Sequence, residues 1–129
     1  MSLPYLQSYL GLSNGIQTKQ QSVAVPITRG IMGGGNTTTD TIDYITIAST
    51  GNATDFGNLT VARGNGVKGD SNGTRGVFGG GLSGSNKNEI DYITIANIGN
   101  ATDFGDLTVA RREFAAVSND TRLVWGGGN

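Results

Sequence analysis

Apolar and polar residues alternate with a period of two along much of this 129-residue chain. In Ile42-Asp43-Tyr44-Ile45-Thr46-Ile47-Ala48, Ile42, Tyr44, Thr46 and Ala48 fall on one side of a ribbon and Asp43, Ile45 and Ile47 on the other. Such β-branched and aromatic side chains favour strand. Ser49-Thr50-Gly51-Asn52 then reads as a turn, and Leu59-Thr60-Val61-Ala62 as a second short strand. Three further strands are predicted where short runs end in glycine triplets: Gly30-Ile31-Met32, Gly76-Val77-Phe78 and Leu123-Val124-Trp125. Phe114 to Val117 predicts another, and Ser22 to Val25 its upstream counterpart. No window carries a 3.6-residue period, so the expected class is all-β.

The same pattern returns. IDYITIASTGNATDFGNLTVAR (Ile42 to Arg63) recurs as IDYITIANIGNATDFGDLTVAR (Ile90 to Arg111), differing at three positions: Ser49/Asn97, Thr50/Ile98 and Asn58/Asp106. A second block appears as TRGIMGGG from Thr28, TRGVFGGG from Thr74 and TRLVWGGG from Thr121. Interleaved blocks with one period of about 46–48 residues mark a tandem supersecondary unit. Each period holds four strands: one before the Thr-Arg turn, one ending in the glycine triplet, one at IDYITIA and one at LTVA. Four antiparallel strands per repeat describe a β-propeller blade. The repeats divide at about 21–63, 64–111 and a partial 112–129. Residues 1–20 form an N-terminal extension whose Tyr5, Leu6, Tyr9, Leu10 and Leu12 give it an apolar face suited to anchoring. Propellers close with about four to eight blades, so the array is incomplete within one chain.

Composition narrows the chemistry. Glycine contributes 22 residues against only two prolines, without a G-X-Y period, which excludes collagen. Nine basic residues against ten acidic give a net charge of −1, which argues against nucleic-acid binding and a polybasic membrane patch. The chain has no cysteine and no histidine, hence no disulfide, no thiolate metal site and no imidazole base. The N-terminus lacks the basic and apolar regions of a signal peptide, and no apolar run is long enough for membrane insertion as a helix.

The short motifs read as architecture. Asp55-Phe56-Gly57 and Asp103-Phe104-Gly105 spell DFG without any kinase context, and predict turns whose phenylalanines fill the gap between blades. Gly64 to Gly69 fits GxGxxG, yet turn residues follow where a helix would be needed. The glycine triplets let neighbouring blades approach without Cβ clashes. Six N-x-T sequons, at Asn36, Asn52, Asn58, Asn72, Asn100 and Asn119, read as a by-product of Asn/Thr-rich turns. Asp43, Asp55, Asp91, Asp103 and Asp106 offer cation oxygens, but no D-x-D-x-D loop collects them. The recurring arginines, Arg29, Arg75 and Arg122 after threonine and Arg63 and Arg111 after alanine, read as struts between blades. No catalytic, cofactor-binding or metal residue is expected.

Glycines after a short apolar strand, a variable loop, an apolar strand, an aromatic and then LTVAR resemble the kelch repeat. The resemblance covers about residues 20–129. It implies kelch-like four-stranded β-propeller blades, with Gly33, Gly34, Phe56 and Arg63 in one unit and Gly79, Gly80, Phe104 and Arg111 in the next; Trp125 takes the place of Met32 and Phe78. The pattern departs from kelch motifs in that Tyr44 precedes Phe56 by twelve residues. The phrasing TRGVFGGG, IDYITIA and GNATDFGDLTVAR also looks like the repeat arrays of tail-fibre-type structural proteins of tailed phages, especially those infecting cyanobacteria. That likeness implies a non-enzymatic virion component assembled in the host cytoplasm. Its implied partners are further copies of itself, other virion proteins and a host-surface receptor or glycan. An intracellular kelch-type protein-binding adaptor is the alternative, and a propeller-based carbohydrate-active enzyme the third reading. Ligand selectivity in any of them would reside in Asn36 to Thr41 and Leu82 to Glu89.

Overall fold

The computed structural model describes residues 28–129; the strand expected at Ser22 to Val25 and the extension at 1–20 lie outside them. Among the described residues there are eleven strands and no helix, in four antiparallel sheets. The first sheet joins β1 (Arg29–Gly33), β2 (Thr39–Thr46) and β3 (Thr54–Arg63) in chain order. The second begins with β4 (Lys68–Ser71) and β5 (Arg75–Gly79). A small ribbon, β6 (Leu82–Ser83) with β7 (Ser85–Asn86), then leads to β8 (Glu89–Thr94) and β9 (Thr102–Asp106). Its order, β4-β5-β8-β9, is a plain up-and-down meander. A hairpin of β10 (Ala115–Ser118) and β11 (Leu123–Gly126) ends the chain. The sheets do not close on one another among the described residues.

Sequence identity between repeats is carried through to register. Arg29 faces Thr46 and Gly33 faces Ile42, as Arg75 faces Thr94 and Gly79 faces Ile90. Both DFG motifs lie inside strands, in β3 and β9, rather than in the turns expected of them. The cause is a bulge. Ile42 pairs with Gly57 and Asp43 with Asp55, so Phe56 is the extra residue on its strand, and Phe104 is likewise extra between Asp103 and Gly105. Gly57 and Gly105 take φ of 143° and 136°, a region that side-chain-bearing residues avoid. In the second motif Asp103 Oδ1 accepts from the Gly105 amide at 3.1 Å.

The two LTVA segments part company. Leu59 to Ala62 extends β3, whereas Leu107 to Ala110 lies outside any strand. Strand β3 is covered by the following repeat, which supplies backbone partners: Gly99 N donates to Phe56 O and Ala101 N to Asn58 O, each at 2.8 Å. Leu107 to Ala110 has no such cover among the described residues.

The core sits between the first two sheets. Ile42, Phe56 and Leu59 from one side meet Phe78, Ile93 and Ile95 from the other. Cross-strand partners share a face, so Gly76 and Phe78 line up with Ile93 and Asp91 toward the first sheet. Repeat equivalence leads one to expect Ile45 and Ile93, and likewise Phe56 and Phe104, in equivalent buried sites, and the structure corrects that expectation. Phe56 is 1% exposed but Phe104 55%, and Ile93 is 2% exposed but Ile45 37%. Phe56 and Ile93 lie at a junction between two sheets; Phe104 and Ile45 lie on the outer sides of the pair. Phe104 borders an open cleft lined by residues of β4, β5 and the hairpin β10–β11.

Candidate functional site

The junction between the first and second sheets holds the fully buried charged residues among those described. Arg63, the last residue of β3, and Asp91, the third of β8, are both fully buried. Arg63 Nη2 lies 3.1 Å from Asp91 Oδ2, the only ion pair among the described residues. That approach is a charge contact rather than an aligned hydrogen bond, and Arg63 Nε and Nη1 have no hydrogen-bond partner among the described residues. Asp91 is better satisfied. The Thr60 amide donates to Oδ2 at 3.0 Å and the Thr60 hydroxyl to Oδ1 at 2.5 Å. A carboxylate from one repeat thus binds the strand of its predecessor at Thr60 and neutralises that strand's arginine.

The rest of the junction also depends on β8 and the turn that follows it. Ile93 packs against the cross-strand glycine, Gly76, and joins Ile95 in the core. The carbonyl of Ile95 accepts a hydrogen bond from Arg29 Nη1 at 2.6 Å. Arg29 lies 4.9 Å above the Tyr44 ring, and Tyr44 meets Phe56 edge-on with centroids 5.9 Å apart. The stack recurs one repeat later, with Arg75 4.4 Å above Tyr92 and Tyr92 edge-on to Phe104 at 5.9 Å. Among the described residues no carbonyl receives the Arg75 guanidinium as that of Ile95 receives Arg29.

Of the predicted positions, Phe56 and Arg63 lie in the junction. Gly33 seats the Phe78 ring: an ideal Cβ there would come within 2.9 Å of it. Gly79 seats Trp125 in the same way, at 3.2 Å. Gly34 and Gly80 adopt positive φ, of 72° and 60°. A Cβ on Gly34 would lie 2.8 Å from the Arg63 carbonyl oxygen, and one on Gly80 would meet the Arg111 carbonyl and the Phe114 ring. The first two triplets therefore fit closely against the ends of the two LTVAR segments. Arg111, the counterpart of Arg63, has no carboxylate partner among the described residues; there it makes only long bonds to the carbonyls of Val109 (3.4 Å) and Gly127 (3.3 Å). Phe104 borders an open cleft of about 200 Å³ beside the β10–β11 hairpin. Asp91, Thr60 and Ile95 carry as much of the junction as the predicted positions. The available signal was an aspartate flanked by isoleucine and tyrosine in an otherwise apolar strand, present in both copies.

The seats give a direct test. Gly33→Ala is expected to force the Phe78 ring out of place at a cost of about 1–3 kcal/mol. At Gly126, whose Cβ would meet nothing within 4 Å, the same change should be neutral or stabilise slightly through the unfolded chain. Urea unfolding of the two variants measures both; equal losses would contradict the seating.

Among the described residues no three acidic groups gather as they would to hold a metal ion. No protein-family model and no curated protein matches the chain.

Proposed function

We propose that this chain is a non-enzymatic structural repeat protein of the tail-fibre type, built of kelch-like blades and working in a homo-oligomer or larger virion assembly. The observation that carries the reading is the junction just described. Its buried chemistry, Arg63 with Asp91 and Thr60, joins one repeat to the next. A buried ion pair contributes little net stability; in this reading its role is to set which surfaces meet and in what register. Repeats that tolerate three differences over 22 residues suit units performing one mechanical task. The four-stranded meander and the aromatic stacks repeated on successive sheets favour the blade description over an unrelated sandwich. The phage assignment itself rests on the likeness of phrasing.

The test is where the protein resides. Mass spectrometry and labelled antibody on purified tailed-phage particles should find it in the particle. Its confinement to the soluble fraction of infected cells would contradict the proposal and favour the intracellular adaptor.

A further inference from the structure

Three Asn-Gly pairs occur in the chain: Asn14–Gly15, outside the described residues, Asn65–Gly66 and Asn72–Gly73. Asparagine before glycine is the pairing most open to attack by its own backbone, because glycine brings no Cβ to shield the following nitrogen. Asn65 and Asn72 are both exposed, yet the structure holds them differently. The Asn72 side chain is fully engaged. Its Oδ1 accepts from the Thr74 amide at 3.1 Å and the Arg75 amide at 2.8 Å, and its Nδ2 donates to the Asp120 carbonyl at 3.1 Å. The Asn65 side chain makes no hydrogen bond among the described residues, and the Gly66 amide donates none there. Asn65, Gly66 and Lys68 border an open recess of about 310 Å³, which admits water. The backbone around them is stapled instead. Gly64 exchanges bonds of 2.9 and 2.8 Å with Leu82, Asn65 N donates to Gly35 O at 2.8 Å, and Gly66 O accepts from Glu113 N at 3.2 Å. This one linker therefore touches all three repeats, and it turns at Asn65 with a φ of 39°.

We infer that Asn65–Gly66 is a self-modifying site, at which slow intramolecular deamidation lengthens the linker and loosens the join between repeats, while Asn72–Gly73 is protected. The Gly66 backbone nitrogen gives its proton to hydroxide and attacks Cγ of Asn65. The new C–N bond closes a five-membered succinimide, and the side-chain nitrogen leaves as ammonia with a proton from water. Water then opens the ring at one of its two carbonyls. Cleavage between Cγ and the nitrogen restores the ordinary main chain with an aspartate. Cleavage at the main-chain carbonyl leaves the chain running through the former side chain, as isoaspartate with one more backbone carbon. Such a residue does not trace the tight left-handed turn at this position, so the bonds to Gly35 and Glu113 on either side of it fall out of register. At Asn72 the same attack requires that three hydrogen bonds be released first. The inference holds whatever the chain assembles into.

Trypsin separates the two pairs, releasing Asn65 in Gly64–Lys68 and Asn72 in Gly69–Arg75. The full chain, carrying Asn14→Ser so that the remaining pair contributes nothing, is held in warm, mildly alkaline buffer with or without urea. Each peptide is followed by the mass difference between amide and acid, and isoaspartate is scored by enzymatic methylation. In urea the two pairs should react at comparable rates. In the folded chain Asn65 should go on reacting, chiefly to isoaspartate, while Asn72 reacts at least about tenfold more slowly because its hydrogen bonds must break. Equal rates in the folded chain overturn the inference, as does an Asn65 that reacts only in urea. The aged chain should then unfold at a lower urea concentration than the fresh one. Asn65→Asp, which has the new charge on an ordinary main chain, should unfold with the fresh one. An aged chain as stable as the fresh chain, or an Asn65→Asp chain as weakened as the aged one, overturns the claim that the lengthened backbone loosens the join.

Discussion

Asp91→Asn is expected to destabilise the protein by about 3–5 kcal/mol, while Asp43→Asn at the repeat-equivalent position changes stability by less than about 0.5 kcal/mol. The two aspartates stand in nearly identical sequence, so only their surroundings differ. Asp91 is fully buried against Arg63, whose Nε and Nη1 have no other partner among the described residues. An asparagine keeps an acceptor for the Thr60 amide but leaves the guanidinium buried without a counter-charge. That is the costly half of breaking a buried pair. Asp43 is only partly buried and makes no ion pair among the described residues. A domain of this kind has about 5–15 kcal/mol in all, so the first variant would lose much of its stability. The double replacement Arg63→Met with Asp91→Leu removes both charges and should recover most of that loss. Urea unfolding of the four proteins measures this. Equal effects at Asp43 and Asp91 would mean that the ion pair does not join the repeats.

The second large effect separates the two phenylalanines. Phe56→Ala is expected to cost about 3–5 kcal/mol, because it empties a site at the centre of the core between Ile42 and Ile93. Phe104→Ala should cost under about 1 kcal/mol, since over half of that residue already faces solvent and little packing is lost. Loss of the edge-on contact with Tyr92 accounts for most of the smaller figure. Thermal or urea unfolding decides it. Comparable losses at both positions would place Phe104 in a buried site and contradict the asymmetry of the two faces.

Much of the fold was legible because strand signals depend on local chemistry. The alternation at Ile42 to Ala48, the glycine triplets and the period of the blocks predicted the order and class of the strands. What local chemistry does not carry is how many neighbours each repeat has. Phe56 and Phe104 share the sequence Asn-Ala-Thr-Asp-Phe-Gly, and nothing in those residues says that one is covered by a following sheet and the other not. Leu59 to Ala62 and Leu107 to Ala110 diverge for the same reason, since a strand edge persists where a neighbour satisfies it. The DFG segments were misplaced because Asp and Gly signal turns, and a bulge uses the same residues inside a strand. Arginine as a strut between repeats was visible in its recurrence. Its partner was not, since Asp91 was read only as one oxygen donor among five; the pairing needs the two sheets face to face.

Light-scattering mass of the purified chain at micromolar concentration tests the central claim, that the protein works by assembly. One sheet pair leaves Met32, Ile45 and Ile47 exposed at one end and Phe104 at the other, apolar surfaces that association would cover. The account predicts a mass that is a multiple of 13.3 kDa and that falls on dilution or on replacement of Ile47 by lysine. A stable, folded monomer at every concentration would contradict it.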